Sequence, residues 1–239
     1  LPKLSVVIPA YNEAGNIGAL VAETFDAVPA DLLGEVIVVD DCSTDATGAE
    51  VAALFGQYPG LRCLRHLSNA GQSAAMRSGI AAARFPVIGT LDGDGQNPPG
   101  DIAGLAGHYA PDGPQLVGGI RAKRRDTVSK RLASRAANAI RRAVLHDDCP
   151  DTGCGLKVFD REVYMRLPFF HGQHRYLPAL FRAYGCVTAY HPVGDRPRRH
   201  GQSKYTNWRR GVMGAYDLIG VSWLVRRTRF AATEELGRE

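Results

Sequence analysis

The strongest constraint on the fold of this chain is an alternation in its first half. Short strand-forming runs, most of them rich in Val and Ile and able to be buried on both faces, alternate with stretches whose apolar residues recur at helical spacing. The runs at 4–8 (LSVVI), 35–39 (EVIVV), 62–66 (RCLRH) and 86–91 (PVIGTL) predict strands. The stretches at 14–27, 46–55 and 72–84 predict helices. This rhythm predicts an α/β chain with a mainly parallel, doubly wound, Rossmann-like sheet and flanking helices. Such sheets bind ligands beyond the carboxyl ends of their strands, so the informative residues should follow each strand.

The first strand runs into Pro9-Ala10-Tyr11-Asn12-Glu13 and the second into Asp40-Asp41-Cys42-Ser43-Thr44-Asp45. Parallel pairing makes these loops neighbours. A base can stack on Tyr11 while a carboxylate accepts from its N–H edge. Helix capping would account for one acid at the end of the second strand, but less readily for two in succession. The third loop, Asn69-Ala70-Gly71-Gln72-Ser73, opens a helix, where a glycine lets backbone amides approach a phosphate.

The fourth loop is Leu91-Asp92-Gly93-Asp94-Gly95-Gln96-Asn97. Asp92 and Asp94 are alternate residues, so an extended backbone points both the same way. A hard divalent cation, Mg²⁺ or Mn²⁺, takes oxygen ligands from one or two carboxylates plus a diphosphate, and Gln96 continues the alternation with a carbonyl oxygen. A solvated Asp/Gly turn is the plain alternative. Two adjacent carboxylates repel unless a cation lies between them.

Together, VIPAYNE at 7–13, DDCSTD at 40–45, NAGQ at 69–72 and DGDGQ at 92–96 closely resemble the family-2 glycosyltransferases of the GT-A fold. Within them the chain is most similar to the polyprenyl-phosphate subgroup, which includes the dolichyl-phosphate mannose synthases. The resemblance covers roughly residues 4–207. It implies that Pro9, Tyr11, Glu13, Asp40 and Asp41 hold the nucleoside of a nucleotide-sugar donor, with Gly71, Gln72 and Asp92 beside them. It also implies that Asp92, Asp94 and Gln96 form the metal site. Gly93 and Gly95 stand where larger residues are usual, which predicts a looser turn.

The second half predicts a strand at 116–120, a basic helix over 127–145, a helix over 170–184, a strand at 187–193, a basic loop at 195–207 and an apolar, basic segment at 208–229. We expect a GT-A domain over 1–207, with a donor half at about 1–120 and an acceptor half at about 121–207. A C-terminal amphipathic helix and polar tail would occupy 208–239. Arg121 ends a strand, Arg131 and Arg135 share a helix face, and two runs, Asp151-Thr152-Gly153-Cys154-Gly155-Leu156-Lys157 and Arg196-Pro197-Arg198-Arg199-His200-Gly201-Gln202-Ser203-Lys204-Tyr205, supply cations and small donors suited to a phosphate. The subgroup carries an Arg-rich loop ending in Gly-x-Ser-Lys, which implies that Arg121, Arg131, Arg199, Ser203 and Lys204 face an acceptor phosphate. Asp151 is the best second-half carboxylate for a general base, and orienting a Lys or Arg is its other reading. His171, His174 and His200 are the other candidate bases, but nothing supports them and a lone His is more often structural.

The formal net charge of +5 favours phosphates or an anionic membrane surface. No nucleic-acid motif accompanies it, so nucleic acid is not an expected partner. Five cysteines, an odd number without disulfide spacing, point to a reducing, cytoplasmic compartment, and Cys149 and Cys154 to free thiols rather than zinc ligands. No apolar run is long enough to span a bilayer. In the C-terminal segment Tyr216, Leu218, Ile219, Val221, Trp223 and Leu224 precede Arg226, Arg227 and Arg229. That pattern suits the inner face of a membrane as a peripheral contact, and equally suits packing on the protein's own core or in a homo-oligomer.

The expected function is therefore inverting transfer of a sugar from a nucleotide-sugar to a polyprenyl phosphate. A transferase extending a saccharide on a hydroxyl shares the donor side and differs in needing a base. A nucleotidyltransferase would carry a Gly-rich loop with Arg and Lys after the first strand, where this chain has PAYNE. A non-catalytic module would not need Asp92, Asp94 and Gln96 together.

Overall fold

The computed structural model describes residues 1–121, 138–197 and 207–229, with the side chains of 207–212 excepted. In chain order, β1 (Leu4–Ala10), α1 (Ile17–Ala27), β2 (Leu33–Asp40), α2 (Thr47–Ala52), β3 (Leu61–Arg65), α3 (Gln72–Ala82) and β4 (Val87–Thr90) realise the predicted alternation within a few residues. There follow α4 (Asp101–Ala106), β5 (Pro114–Arg121), helical residues 138–145 (α5), β6 (Lys157–Asp160) and α6 (Arg161–Arg166). A 3₁₀ turn (Gln173–Arg175), α7 (Leu177–Ala183), β7 (Val187–Val193) and α8 (Asn207–Arg227) complete the described chain.

These strands form one seven-stranded sheet in the order β3-β2-β1-β4-β6-β5-β7. The β1–β2, β2–β3, β1–β4 and β5–β7 pairs are parallel. Only β6 runs against its neighbours, antiparallel to both β4 and β5. The sheet is thus mainly parallel, as the alternation predicts. The insertion of β6 was not predicted, nor were α4 and α6. The predicted helix over 170–184 is broken at Tyr176 into the 3₁₀ turn and α7.

Alternation along the central strands divides the core in two. Leu4, Val6 and Ile8 of β1 face a layer with Ile17, Leu20 and Val21 of α1 and Ile102 and Leu105 of α4. Val7, Ile37 and Val39 face the other layer, with Ala75, Met76 and Ile80 of α3, Leu180 and Phe181 of α7 and Val221 of α8. A side-chain period of two gives each strand one face per layer, which is why these strands read as nearly continuous apolar runs. The winding reverses at β1, with β2 on one side and β4 on the other. The crevice at such a switch point is where an open α/β sheet takes its ligand. The loops carrying Tyr11, Asp41 and Asp92 all open there.

Candidate active site

The β1 and β2 loops are laced together. Asp41 N–H donates to Ala10 O (2.8 Å), Asn12 N–H to Ser43 Oγ (2.9 Å) and Glu13 N–H to Thr47 Oγ1 (2.8 Å). Asn12 Oδ1 accepts from Thr44 N–H (2.8 Å), and Glu13 Oε2 accepts from Asn16 Nδ2 (3.1 Å). Tyr11 lies at the mouth, 37% exposed.

The two adjacent acids divide their work. Asp40 caps its own turn, Oδ1 accepting from Ser43 N–H at 2.8 Å. Asp41 reaches across to the third loop and accepts from Ala70 N–H (2.9 Å), Gly71 N–H (2.7 Å) and His66 Nδ1 (2.6 Å). The amides that the sequence offered to a phosphate are thus bound by Asp41. Gly71 adopts φ +86°, and His171 packs against it where a side chain would stand. Ser73, in the first turn of α3, accepts from Gly172 N–H (3.1 Å) and pairs with His174 Nδ1 (2.7 Å). That contact ties His174 to the start of α3.

The β4 loop carries the acids. Asp92 Oδ1 accepts from Gln72 Nε2 at 2.8 Å. Burial, and then the charge of Asp94, push the Asp92 carboxyl up to about 6, against the opposing pull of Lys157 and Arg121. Two carboxylates within electrostatic reach of each other suit a hard divalent cation, which would relieve that repulsion. Among the described residues no three His, Cys, Asp or Glu side chains form a metal-binding group. A cation here would draw its other oxygens from a bound diphosphate, water or an amide such as that of Gln96. Gln96 Nε2 donates to the Arg196 carbonyl (3.3 Å), and Arg196 N–H donates to the Gln96 carbonyl (2.9 Å).

The turn is not loosened by its glycines, contrary to the sequence expectation. A Cβ at Gly93 would stand 2.9 Å from Pro9 O and 3.4 Å from Glu13 Cγ. Glycine instead lets this loop press directly on the end of β1. Gly95, at φ +71°, turns the chain where an L side chain would be strained.

On the far side, β6 brings the run 151–157, which the sequence offers to an acceptor phosphate, against the end of β4. The β4–β6 register sets Lys157 opposite Thr90, two residues before Asp92. Lys157 is buried and its Nζ donates to Cys154 O. Thr90 Oγ1 donates to Gly155 O at 2.7 Å, tying the approach to β6 onto the end of β4. Nothing local in the run Asp151-Thr152-Gly153-Cys154-Gly155-Leu156-Lys157 marked Gly155 and Lys157 as neighbours of Asp92.

Arg121 and Asp151 form a two-pronged pair: Nε to Oδ2 at 2.8 Å and Nη2 to Oδ1 at 2.9 Å. Burial opposes the guanidinium's charge, but the Asp151 hydrogen bonds prevail and hold it above its ordinary range. The contact is the one that the second of its two sequence readings, orienting an arginine, calls for. Cys149 and Cys154 are buried free thiols, and burial raises both pKa values. Arg131, Arg199, His200, Ser203 and Lys204 lie outside the described residues.

On α8, Val221 is buried in the core while Tyr216, Ile219 and Trp223 are 75%, 72% and 63% exposed. The three share one face at i, i+3 and i+7 spacing. An apolar groove of about 380 Å³ runs between Val144 and this face, with Arg226 and Arg227 at its rim. No helix among the described residues is long and apolar enough to cross a membrane.

Residues 5–167 match the family model described as Glycosyl transferase family 2. An undecaprenyl-phosphate 4-deoxy-4-formamido-L-arabinose transferase of Edwardsiella ictaluri is 34% identical over 207 residues, 84% of this chain and 62% of that protein. The protein of the same name from an Enterobacter species is 32% identical over 91% of this chain and 66% of its own length. The chain thus spans less than two thirds of the length of these relatives. Among solved structures, glucosyl-3-phosphoglycerate synthase from Mycobacterium tuberculosis, in complex with Mn²⁺, UDP and phosphoglyceric acid, superposes with a TM-score of 0.71. It is 22% identical, with 96% of this chain and 80% of that one covered. A mannosyltransferase from Pyrobaculum calidifontis, in complex with GDP-mannose and Mn²⁺, gives a TM-score of 0.66 at 22% identity, covering 97% of this chain and 66% of that one. The α/β architecture is the GT-A fold of these enzymes.

Proposed function

The chain belongs to glycosyl transferase family 2, and from that premise we propose that it moves a sugar, with inversion, from a nucleotide-sugar donor to a polyprenyl phosphate in a divalent-cation-dependent reaction. The observation that carries the acceptor half of this reading is the half-buried Arg121–Asp151 pair, whose charge is felt at Asp92. It presents a fixed cation next to the acids of the donor crevice, and it occupies the carboxylate that a hydroxyl acceptor would need as base. The names of the relatives, which act on undecaprenyl phosphate, point the same way.

On this reading Tyr11 stacks on the donor base. Pro9, Glu13, Asp40 and Asp41 shape the nucleoside pocket, and Asp41 does so while holding the Ala70 and Gly71 amides. Gln72 steadies Asp92. Asp92 and Asp94, with Gln96, would hold Mg²⁺ or Mn²⁺, which when bound offsets the charge building on the departing diphosphate. A phosphate acceptor is already an anionic nucleophile near pH 7 and needs positioning more than deprotonation. Arg121 provides that positioning, and by resemblance Arg131, Arg199, Ser203 and Lys204 do so with it. An anionic bilayer is the partner we propose for the Tyr216–Trp223 face, since exposed aromatic and aliphatic residues beside Arg226 and Arg227 match an interface of acyl chains and acidic headgroups.

The test is to incubate the protein with a panel of nucleotide sugars, Mg²⁺ or Mn²⁺ and a short polyprenyl phosphate, and to identify the product by mass spectrometry. A lipid-linked sugar should form, should vanish in excess chelator, and should not form with Asp94→Asn although that variant folds. Turnover undiminished by chelator would sink the cation assignment. Transfer only to free sugars would favour the saccharide-extending alternative.

A further inference from the structure

Arg196 stood in the sequence as one more cation of the basic acceptor loop. Its contacts point elsewhere. Nη1 and Nη2 grip the Glu23 carboxylate of α1, at 2.9 Å to Oε2 and 2.7 Å to Oε1. Its backbone exchanges two hydrogen bonds with Gln96: Arg196 N–H donates to the Gln96 carbonyl (2.9 Å), and the Gln96 side-chain amide donates to the Arg196 carbonyl (3.3 Å). Two residues earlier, Gly194 N–H donates to Asp101 Oδ2 at 2.7 Å. The segment leaving β7 is thereby strapped across the loop that follows β4.

A carboxamide offers a donor at one end and an acceptor at the other, and the two look alike in shape. A backbone carbonyl can only accept. By taking the N–H end of Gln96, the Arg196 carbonyl fixes which end remains, and that end is the oxygen a hard cation requires. The Arg196 side chain does not touch this amide. It holds its own backbone in place through a planar, two-pronged bond to Glu23, which a lysine cannot reproduce.

We propose that Arg196 and Glu23 are positioning residues for the cation site, acting through the Arg196 carbonyl to set the orientation of the Gln96 amide. This rests on the reading of Gln96 as a cation ligand. It assigns Arg196 to the donor side, and it makes the start of the acceptor loop mechanically continuous with the metal loop.

The experiment measures Mn²⁺ binding in the presence of UDP, by the loss of free Mn²⁺ signal in electron paramagnetic resonance, for the full chain and its variants. Removing a residue that orients a metal ligand weakens affinity about 10- to 100-fold. Arg196→Ala and Glu23→Ala should each weaken Mn²⁺ binding by about tenfold. They should raise the Mn²⁺ concentration for half-maximal transfer, with kcat at saturating Mn²⁺ little changed. Arg196→Lys should not restore affinity, whereas the exchange Glu23→Arg with Arg196→Glu should restore part of it. Wild-type affinity in Arg196→Ala, alongside weakened binding in Gln96→Ala, overturns the strap and leaves the ligand reading standing. Wild-type affinity in Gln96→Ala overturns both. A fall in kcat with unchanged Mn²⁺ affinity also overturns the proposal, because it would place Arg196 with the acceptor instead.

Discussion

The Asp92 carboxylate lies directly over Gly155: a Cβ added at that glycine would stand 2.2 Å from Asp92 Oδ2 and 2.3 Å from Cγ. The acid proposed for the cation and the residue beneath it come from opposite halves of the chain. The antiparallel seat of β6 against β4 brings them together.

Gly155→Ala should therefore displace Asp92 and weaken Mn²⁺ binding about 10- to 100-fold, with the far-UV circular dichroism unchanged. The neighbour that must give way is a half-buried side chain rather than backbone, so the fold should tolerate the change. Mn²⁺ titration followed by isothermal calorimetry reads the outcome. Wild-type affinity would mean that Asp92 can turn aside without loss.

The elevated Asp92 pKa has a definite sign in stability. A carboxyl pushed up to about 6 by burial and by Asp94 holds its proton in the folded chain at pH values where the unfolded chain has lost it. Between about pH 4 and 6 the folded state binds more protons, so this group's contribution to stability declines as pH rises through that window. Without divalent cation, Asp92→Asn should raise the thermal midpoint at pH 7.5 and leave it nearly unchanged at pH 4. Added Mn²⁺ should stabilise the wild type more at pH 7.5 than at pH 5, because it competes with that proton. Differential scanning calorimetry at the two pH values checks both. An Asp92→Asn midpoint that tracks the wild type across the range would contradict the assignment.

The acceptor is decided by comparing two sets of variants. Loss of one charged hydrogen-bond donor in a desolvated site costs about 1.5–3 kcal/mol, roughly one to two decades in rate. Lys204→Ala and Arg199→Ala should each lower transfer to polyprenyl phosphate by about that much, with the donor KM little changed. Arg121→Lys should fall further than a conserved charge would suggest, because a lysine cannot make the two-pronged bond to Asp151. Asp151→Asn should lower the rate without removing the acidic limb from the pH–rate profile. A vanished acidic limb in Asp151→Asn, with full activity in Lys204→Ala and Arg199→Ala, would identify a hydroxyl acceptor.

Membrane contact should map to the exposed face of α8. Flotation with liposomes containing acidic lipids should fall several-fold when Trp223 and Arg226 are both replaced by Ala, and should weaken at high salt. Replacement of the buried Val221 should instead lower the thermal midpoint. Unchanged flotation of the Trp223/Arg226 double variant would refute this surface.

The sequence by itself determined the parallel half of the sheet and the four loops at its switch point. Those features are local: strand and helix periodicities show in short windows, and Tyr11, Asp41, Gly71 and Asp92 each follow directly on a predicted strand or lead into a helix. Only the tertiary structure decided the rest. β6 is four residues long and takes its place by pairing with residues some seventy positions earlier, which no local window registers. That pairing puts Lys157 and Gly155 against Asp92. The sequence left Asp151 open between base and orienting group, and only the structure showed that it is paired with Arg121. Gly93 shows the same limit from the other side. Its lack of a side chain suggested slack, and only the approach of Pro9 O revealed a close contact. Arg196 looked like one more charge in a basic loop. A charge in sequence has no direction, and its partner, Glu23, lies on the first helix, far away in the chain and adjacent only once the sheet is wound.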